Sequence, residues 1–495
     1  MELELEPETG MEITTRSDLS LLYRVLRAVI KPLRPRLVRP SNRAQPAGSP
    51  RLVSPRKRDV VIQETMCEGV WMYCFHPAPG KRKGEGRGNV QKAKDGNPTD
   101  ELVKDGVGAG AGTGRTTGHH PGVRRKHRVY YFCGGGFQSP PAPEHWRFLT
   151  YLSQDLASHY CSRPLAGRGQ HANGLDQDAE PGAEIELVLV SYPLAPNSPA
   201  SDSLEILRKW LGKVMDAASE NGHTLSLMGD SSGGNVVLSL GFWAVQNYHE
   251  LALPQPQQQQ QKKQDAPSGA HSPAAADDDG PKETQRTRTN DNFPLTSLIN
   301  ISGPTDLTHS NPEIRKADKF DRVLTAQMAR QVAEVWAGTA GTTSNSNDND
   351  DGNANRKARK DQDQQRSSSS HNPEPIPLSD PSVSPLLNAD TAFHALRARN
   401  VHVHGVLGTH DVLAPDGLEF MRKCQRLGVS GRWLVWEGQM HCFPLAGGGR
   451  GGRPGIREGT EGREFLVSVL CRDYERENSG EIYNRKEISE TLVSA

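Results

Sequence analysis

Apolar residues along this chain recur in two alternating rhythms. Short, nearly continuous apolar runs occur at 59–63, 69–75, 129–133, 185–192, 224–228, 295–302, 401–407 and 433–436. Between and after them, apolar residues recur at helical spacing over 144–160, 201–220, 233–249, 321–337, 390–399, 414–427 and 459–476. Continuous apolar runs suit strands covered on both faces. Their alternation with helices predicts an α/β protein with a mostly parallel central sheet and helices on both sides. The first two runs lie close together and predict an antiparallel start.

Ahead of this pattern, residues 17–33 place Leu19, Leu22, Leu26, Val29, Ile30 and Leu33 at helical spacing, with Arg24, Arg27 and Lys31 between them. Two readings stay open. The segment is a cap helix packed over the core or an active site, or an interfacial helix that makes peripheral contact with lipid. The cap is the plainer expectation, because amphipathic helices usually bury their apolar face in their own protein.

Composition changes the picture of size. Only 34% of the 495 residues are apolar, against roughly 45–50% with glycine included in globular domains. Four stretches account for the dilution: 78–126 (GKRKGEGRG, GVGAGAGTG), 162–182, 254–291 (PQPQQQQQKKQ) and 338–375 (SNSNDNDDGN). Such compositions bury too little apolar surface to offset chain entropy, so they are expected to be disordered inserts. Removing them leaves roughly 320 residues, enough for one large α/β domain. The expected organisation is an N-terminal tail and amphipathic cap helix over 1–50, an α/β domain interrupted by the inserts over 51–480 and a tail over 481–495.

The 59 basic and 59 acidic residues cancel, where a nucleic-acid-binding chain would normally carry a basic excess. Seven cysteines without a CxxC pair signal neither a disulfide framework nor a zinc site. The acidic opening MELELEPETG is unlike a signal peptide, and no uncharged apolar run approaches the length of a spanning helix. A soluble, cytoplasmic protein without a transmembrane segment is expected.

Candidate chemistry begins at Gly229-Asp230-Ser231-Ser232-Gly233-Gly234, between a strand-like TLSLM and a helix-like NVVLSLGFWAV. G-x-S-x-G at a strand-to-helix junction is the context of a nucleophile elbow, in which a sharp turn lifts the serine hydroxyl clear of the sheet. A turn serving only a close strand–helix crossing is the plainer alternative. Cys133-Gly134-Gly135-Gly136-Phe137 follows the strand-like VYYF. Gly134 would shape that turn, and the N–H groups of Gly135, Gly136 and Ser232 would form an oxyanion hole. A serine hydroxyl needs a base, and the base an orienting acid. Asp411 ends one strand-like run and His441 follows another, giving the chain order Ser231, Asp411, His441. Asp416 is the rival acid, with helix capping as its plainer role. His410 is expected to point away from its neighbour Asp411, and His402 and His404 to be strand residues. Asp230 is expected to bond backbone near the elbow. No metal-ligand set emerges.

Taken together, CGGGF at 133–137, Tyr192-Pro193-Leu194-Ala195-Pro196, GDSSGG at 229–234, Asp411 and Gln439-Met440-His441 resemble the hormone-sensitive-lipase-like ("fold-3") α/β-hydrolases. The resemblance covers about 128–445 outside the inserts. It implies the α/β-hydrolase fold, a small N-terminal helical cap and cofactor-free hydrolysis of small-molecule esters with short to medium acyl chains, or of lipid or acetyl esters. Cys133 departs from the family, which has a histidine there, and Ser232 replaces a common alanine. A non-catalytic ligand-binding relative and an amidase using the same triad are the alternatives.

Overall fold

The computed structural model describes residues 10–30, 45–56, 59–77, 126–161, 185–251, 293–340, 374–448 and 455–478. The expected inserts, apart from a few flanking residues, and the tail at 481–495 lie outside them.

Nine strands form one sheet: β1 (Met11–Arg16), β2 (Val60–Cys67), β3 (Val70–Pro77), β4 (His127–Phe132), β5 (Ile185–Ser191), β6 (Thr224–Asp230), β7 (Leu295–Ile301), β8 (His402–Gly408) and β9 (Gly431–Trp436). Their spatial order is β1-β9-β8-β7-β6-β4-β5-β3-β2. β2 and β3 pair antiparallel, β3 runs antiparallel to β5, and the other pairs are parallel. The mostly parallel sheet with an antiparallel start is therefore present.

Side-chain alternation divides the core into two layers. Tyr130 and Phe132 of β4, Val188 and Val190 of β5, and Trp433 and Val435 of β9 join one cluster. Val129 and Tyr131, Leu187 and Leu189, and Leu434 and Trp436 join the other. The first layer is covered by α3 (Ala200–Glu220), α4 (Ser232–Leu251), α7 (Asp390–Ala398) and α8 (Ala414–Arg426). The second is covered by α2 (Pro143–Cys161) and α9 (Arg457–Asn478). Among the described residues, no helix is long and apolar enough to cross a membrane.

Three features depart from the pattern read in the sequence. The segment 11–16, read as tail, is the edge strand β1, in parallel register with β9 from Met11 opposite Gly431 to Arg16 opposite Trp436. The helix expected over 321–337 starts later, and a further helix precedes it: α5 (Ile314–Phe320) is followed by α6 (Ala326–Ala337). Asp321 holds the turn between them by accepting the N–H groups of Val323 and Leu324 at 2.6 and 2.8 Å, and Thr325 caps α6 by accepting the Met328 N–H at 3.1 Å. Finally, α1 (Leu21–Ile30) turns Tyr23 inward but leaves Leu21, Leu22, Val25 and Val29 exposed.

Candidate active site

Ser231 stands alone between the end of β6 and the start of α4, with φ of 51°. This left-handed conformation costs a non-glycine residue about 1–3 kcal/mol, so its surroundings must enforce it. They do so by hydrogen bonding and by crowding. The Ser231 N–H donates to the Ile301 carbonyl at 2.9 Å, and its own carbonyl accepts the Gly234 N–H at 2.9 Å. A Cβ on Gly229 would lie 2.5 Å from the Gly233 carbonyl carbon, and one on Gly233 would lie 2.0 Å from the Phe132 oxygen. Both glycines are therefore required by contact with backbone, which cannot move aside cheaply.

Asp411 lies just beyond β8 and His441 just beyond β9. Backbone bonds zip the two loops together: Thr409 N–H donates to Trp436 O at 3.1 Å and His410 N–H to Gln439 O at 2.9 Å. His441 Nδ1 is 2.8 Å from Asp411 Oδ2, and His441 Nε2 is 2.9 Å from Ser231 Oγ. The other carboxylate oxygen of Asp411 accepts the Leu413 N–H at 2.9 Å. Burial opposes a charge on the imidazole, yet the Asp411 carboxylate and its hydrogen bond outweigh that penalty, with the Cys442 sulfur adding to them. The His441 pKa is raised well above its ordinary value. Cys442 Sγ lies 3.4 Å from His441 Nε2, and burial, partly offset by His441, pushes this thiol up to about 11.

The sequence reading missed Asp321. Its Oδ2 accepts the Val412 N–H at 2.8 Å, so it grips the loop of Asp411 from the turn between α5 and α6. Burial, with the Asp411 charge next, raises its pKa to about 6. No local motif marks it, because the contact joins segments about 90 positions apart.

The glycine loop is fastened along its length. Gly134 donates its N–H to Asp230 Oδ1 at 3.0 Å, so this glycine anchors the loop and does not point a donor at the reacting centre. A Cβ on Gly134 would meet Asp230 Oδ2 at 2.5 Å. Gly135 and Gly136 have φ of 140° and 62°, and the turn they make is closed by the Gln138 and Ser139 N–H groups donating to Gly135 O. Phe137 stacks on Trp336 of α6 with ring centres 4.4 Å apart, and its carbonyl accepts the Ala195 N–H at 2.9 Å. Tyr192 donates its hydroxyl to the Cys133 carbonyl at 3.1 Å and lies 3.2 Å from Ser232 Oγ. Cys133 is buried in the core layer beneath α2 and α9, and burial keeps it a neutral thiol. The loop is ordered without a side-chain bond from residue 133.

Asp230 reaches further than the elbow. Besides Gly134 it accepts the Tyr131 hydroxyl at 2.7 Å and bonds His145 Nε2 at 3.2 Å. His145 Nδ1 accepts the Ala142 N–H at 3.0 Å, which leaves its proton on Nε2 for Asp230. His145, at the start of α2, is a second residue the sequence reading missed. Its only local signal is a position on the first helix after the glycine loop.

The remaining candidates lie apart from this chemistry. His410 Nδ1 faces Arg27 at 3.1 Å. Asp416 is buried in the first turn of α8, and its Oδ1 has no partner among the described residues. Burial, then Asp306, raises its pKa to about 7. His404 accepts the Arg432 N–H at Nδ1 and bonds Asp473 through Nε2 at 3.1 Å. Among the described residues, two groups could in principle hold a metal ion: Cys133, His145 and Asp230, and His402, His404 and Asp473. In both, His145, Asp230 and His404 have their lone pairs and protons committed to one another or to backbone.

Among solved structures, the chain is similar to carboxyl esterase 2 from the mycorrhizal fungus Tuber melanosporum, with 14% identity, 92% of this chain and 100% of that chain covered, and a TM-score of 0.50. The chain has the α/β-hydrolase fold. It is also similar to a hormone-sensitive lipase from a metagenome library (14% identity, 94% and 99% covered, TM-score 0.48). An esterase/lipase from an uncultured bacterium matches at 14% identity, with 92% and 99% covered and a TM-score of 0.48. No family model matches the sequence. No curated protein matches it either. The motifs at 133–137, 192–196, 229–234, 411 and 439–441 thus lie on an α/β-hydrolase fold.

Proposed function

We propose that this α/β-hydrolase cleaves carboxylic esters through an acyl-enzyme on Ser231. The observation that carries the reading is the unbroken hydrogen-bonded line from Ser231 Oγ through His441 to Asp411, at 2.9 and 2.8 Å. His441 Nε2 removes the hydroxyl proton as Ser231 Oγ attacks the ester carbonyl. Asp411 holds the tautomer with the proton on Nδ1 and stabilises the imidazolium that forms. The N–H groups of Gly135, Gly136 and Ser232 receive the oxyanion, each donor being worth about 3–4 kcal/mol of barrier. The imidazolium protonates the departing alkoxide, the alcohol leaves, and a water deprotonated by His441 releases the acid. No step calls for a cofactor.

Apolar residues beside the glycine loop suit a small ester of short to medium acyl chain. Val332 of α6 stands against Gly136, where an added Cβ would meet it at 3.2 Å, and Trp336 covers Phe137. Labelling by a fluorophosphonate probe and turnover of p-nitrophenyl butyrate test the reading together. The wild-type chain should do both and Ser231→Ala neither. Full ester turnover by Ser231→Ala would end it. A non-catalytic binding role is not favoured by a serine held in strain within reach of a base. Matched p-nitroanilides separate ester from amide hydrolysis.

A further inference from the structure

The helix α1 carries its apolar residues on the wrong side for a cap. On a helix of 3.6 residues per turn, Leu21, Leu22, Val25 and Val29 fall within an arc of about 100°. All four face solvent, with exposures of 78%, 60%, 55% and 57%. The opposite side holds the helix to the protein: Tyr23 is buried and donates its hydroxyl to Gly438 O at 3.1 Å, and Arg27 lies 3.1 Å from His410 Nδ1. The expectation of an apolar face buried in its own protein therefore fails for α1 among the described residues.

This face has a defined position. Gly438 is in the loop that leads to His441, and His410 adjoins Asp411. The His410 ring also stacks on Phe320, 5.1 Å away, and that phenyl is itself 48% exposed. The exposed apolar stripe of α1 and the exposed edge of Phe320 thus flank the two loops that supply the base and its acid.

Charge states what should cover it. Between Asp18 and Asp59 the sequence holds eleven Lys and Arg residues and no Asp or Glu, in a chain whose total charge is zero. Arg24 is exposed on the flank of the apolar stripe. Within the described residues, the nearest preceding acid, Asp18, is neutralised by Arg16 and Arg457 at 2.7 and 2.8 Å. A second copy of this chain would bring the same cations to the contact and repel. An apolar stripe bordered by cations matches an interface whose interior is hydrocarbon and whose surface is anionic.

We infer that α1 docks the protein on anionic lipid surfaces through Leu21, Leu22, Val25 and Val29, beside the loops that carry His441 and Asp411. The helix lies in the interface plane, its apolar stripe among acyl chains and Arg24 at headgroup level. The inference concerns binding alone and holds whether or not Ser231 is a nucleophile.

Flotation of the full chain with phosphatidylcholine vesicles, with and without phosphatidylserine, tests it. Wild type and Ser231→Ala should float alike with anionic vesicles and release as salt rises. Leu22→Glu/Val25→Glu should lose binding by roughly tenfold or more, while keeping wild-type turnover of soluble p-nitrophenyl butyrate and wild-type circular dichroism. Equal flotation of wild type and the double variant overturns the inference. So does a wild-type chain that ignores anionic vesicles but is an oligomer dissociated by the same double substitution, because the face is then a contact between copies. Binding to phosphatidylcholine as strong as to phosphatidylserine overturns the anionic part.

Discussion

His441–Asp411 and His404–Asp473 are both buried histidine–aspartate pairs held at about 3 Å, one at each end of the same sheet. Each imidazole faces its carboxylate, and each carboxylate is fully or almost fully buried. What separates them is the second ring nitrogen. In His404 it is Nδ1, which accepts the Arg432 N–H and so fixes the ring as part of the core. In His441 it is Nε2, directed at the hydroxyl of a serine in a strained conformation. A histidine–aspartate pair is a structural clamp when both nitrogens are spent on fixed groups. It becomes a base when one is left for a hydroxyl that can be transferred.

Substitution should expose that difference most sharply at His441. His441→Ala is expected to lower kcat on p-nitrophenyl butyrate by roughly 10⁴–10⁶, and also to lower Tm, because it leaves the buried Asp411 carboxylate without its imidazole. His404→Ala should lower stability alone. Leaving buried Asp473 with only the longer contact to Arg476 at 3.8 Å costs up to about 3–5 kcal/mol, so Tm falls by several degrees while kcat of the folded fraction stays near wild type. If His404→Ala matched His441→Ala in lost kcat at full stability, the distinction drawn from the second nitrogen would be wrong.

A third pair, His145–Asp230, lies between the two types, since it is a clamp attached to the glycine loop. His145→Ala should lower kcat by roughly 10–100-fold, less than loss of a direct oxyanion donor, with KM nearly unchanged. A merely structural role would lower Tm and leave kcat of the folded protein intact.

The pH dependence of kcat/KM sharpens the comparison further. His441 must be neutral to accept the serine proton, and its pKa is raised above the ordinary 6.5 by Asp411 against the opposing effect of burial. Activity should therefore rise with pH and reach half its plateau above 6.5. An acid limb centred below the ordinary histidine value would contradict the pairing.

The smallest expected effect is on stability alone, at Asp416. Its folded pKa is raised to about 7 from 3.8, so the fold favours the protonated form and penalises the carboxylate. That penalty is absent below about 4 and complete above 7. Asp416→Asn, which mimics the protonated form, should raise Tm at pH 8 by several degrees, the equivalent of roughly 2 kcal/mol. The gain should shrink towards pH 4. Equal gains at both pH values would show that charge is not the cause.

Much of the sheet was legible because its strands are continuous apolar runs bounded by turns, and the elbow was legible because Gly229 and Gly233 leave no space for a Cβ. Ser231, Asp411 and His441, named from their order and strand-end positions, come within hydrogen-bonding distance. What escaped was set by partners distant in sequence. β1 is six residues with a half-exposed pattern, a strand only because β9 pairs with it. Asp321 and His145 act through backbone and carboxylate groups that no local spacing reveals. The direction of α1 was likewise hidden. Its helical period was visible, but Tyr23 and Arg27, not the leucines, found partners in the protein.

Strand β1 lies next to the strand that leads to His441, and its end reaches into that loop: Glu437 donates its N–H to Arg16 O at 2.7 Å, and the Trp436 indole donates to Asp18 O at 3.2 Å. During synthesis residues 11–16 emerge first, yet residues 431–436 must leave the ribosome before this edge can close. Segments that pair across so much chain fold late, after the more local βα units have condensed. The nascent polypeptide therefore assembles the turn at Ser231 well before the support of His441, and gains the complete hydrogen-bonded line only after residues 431–441 have emerged.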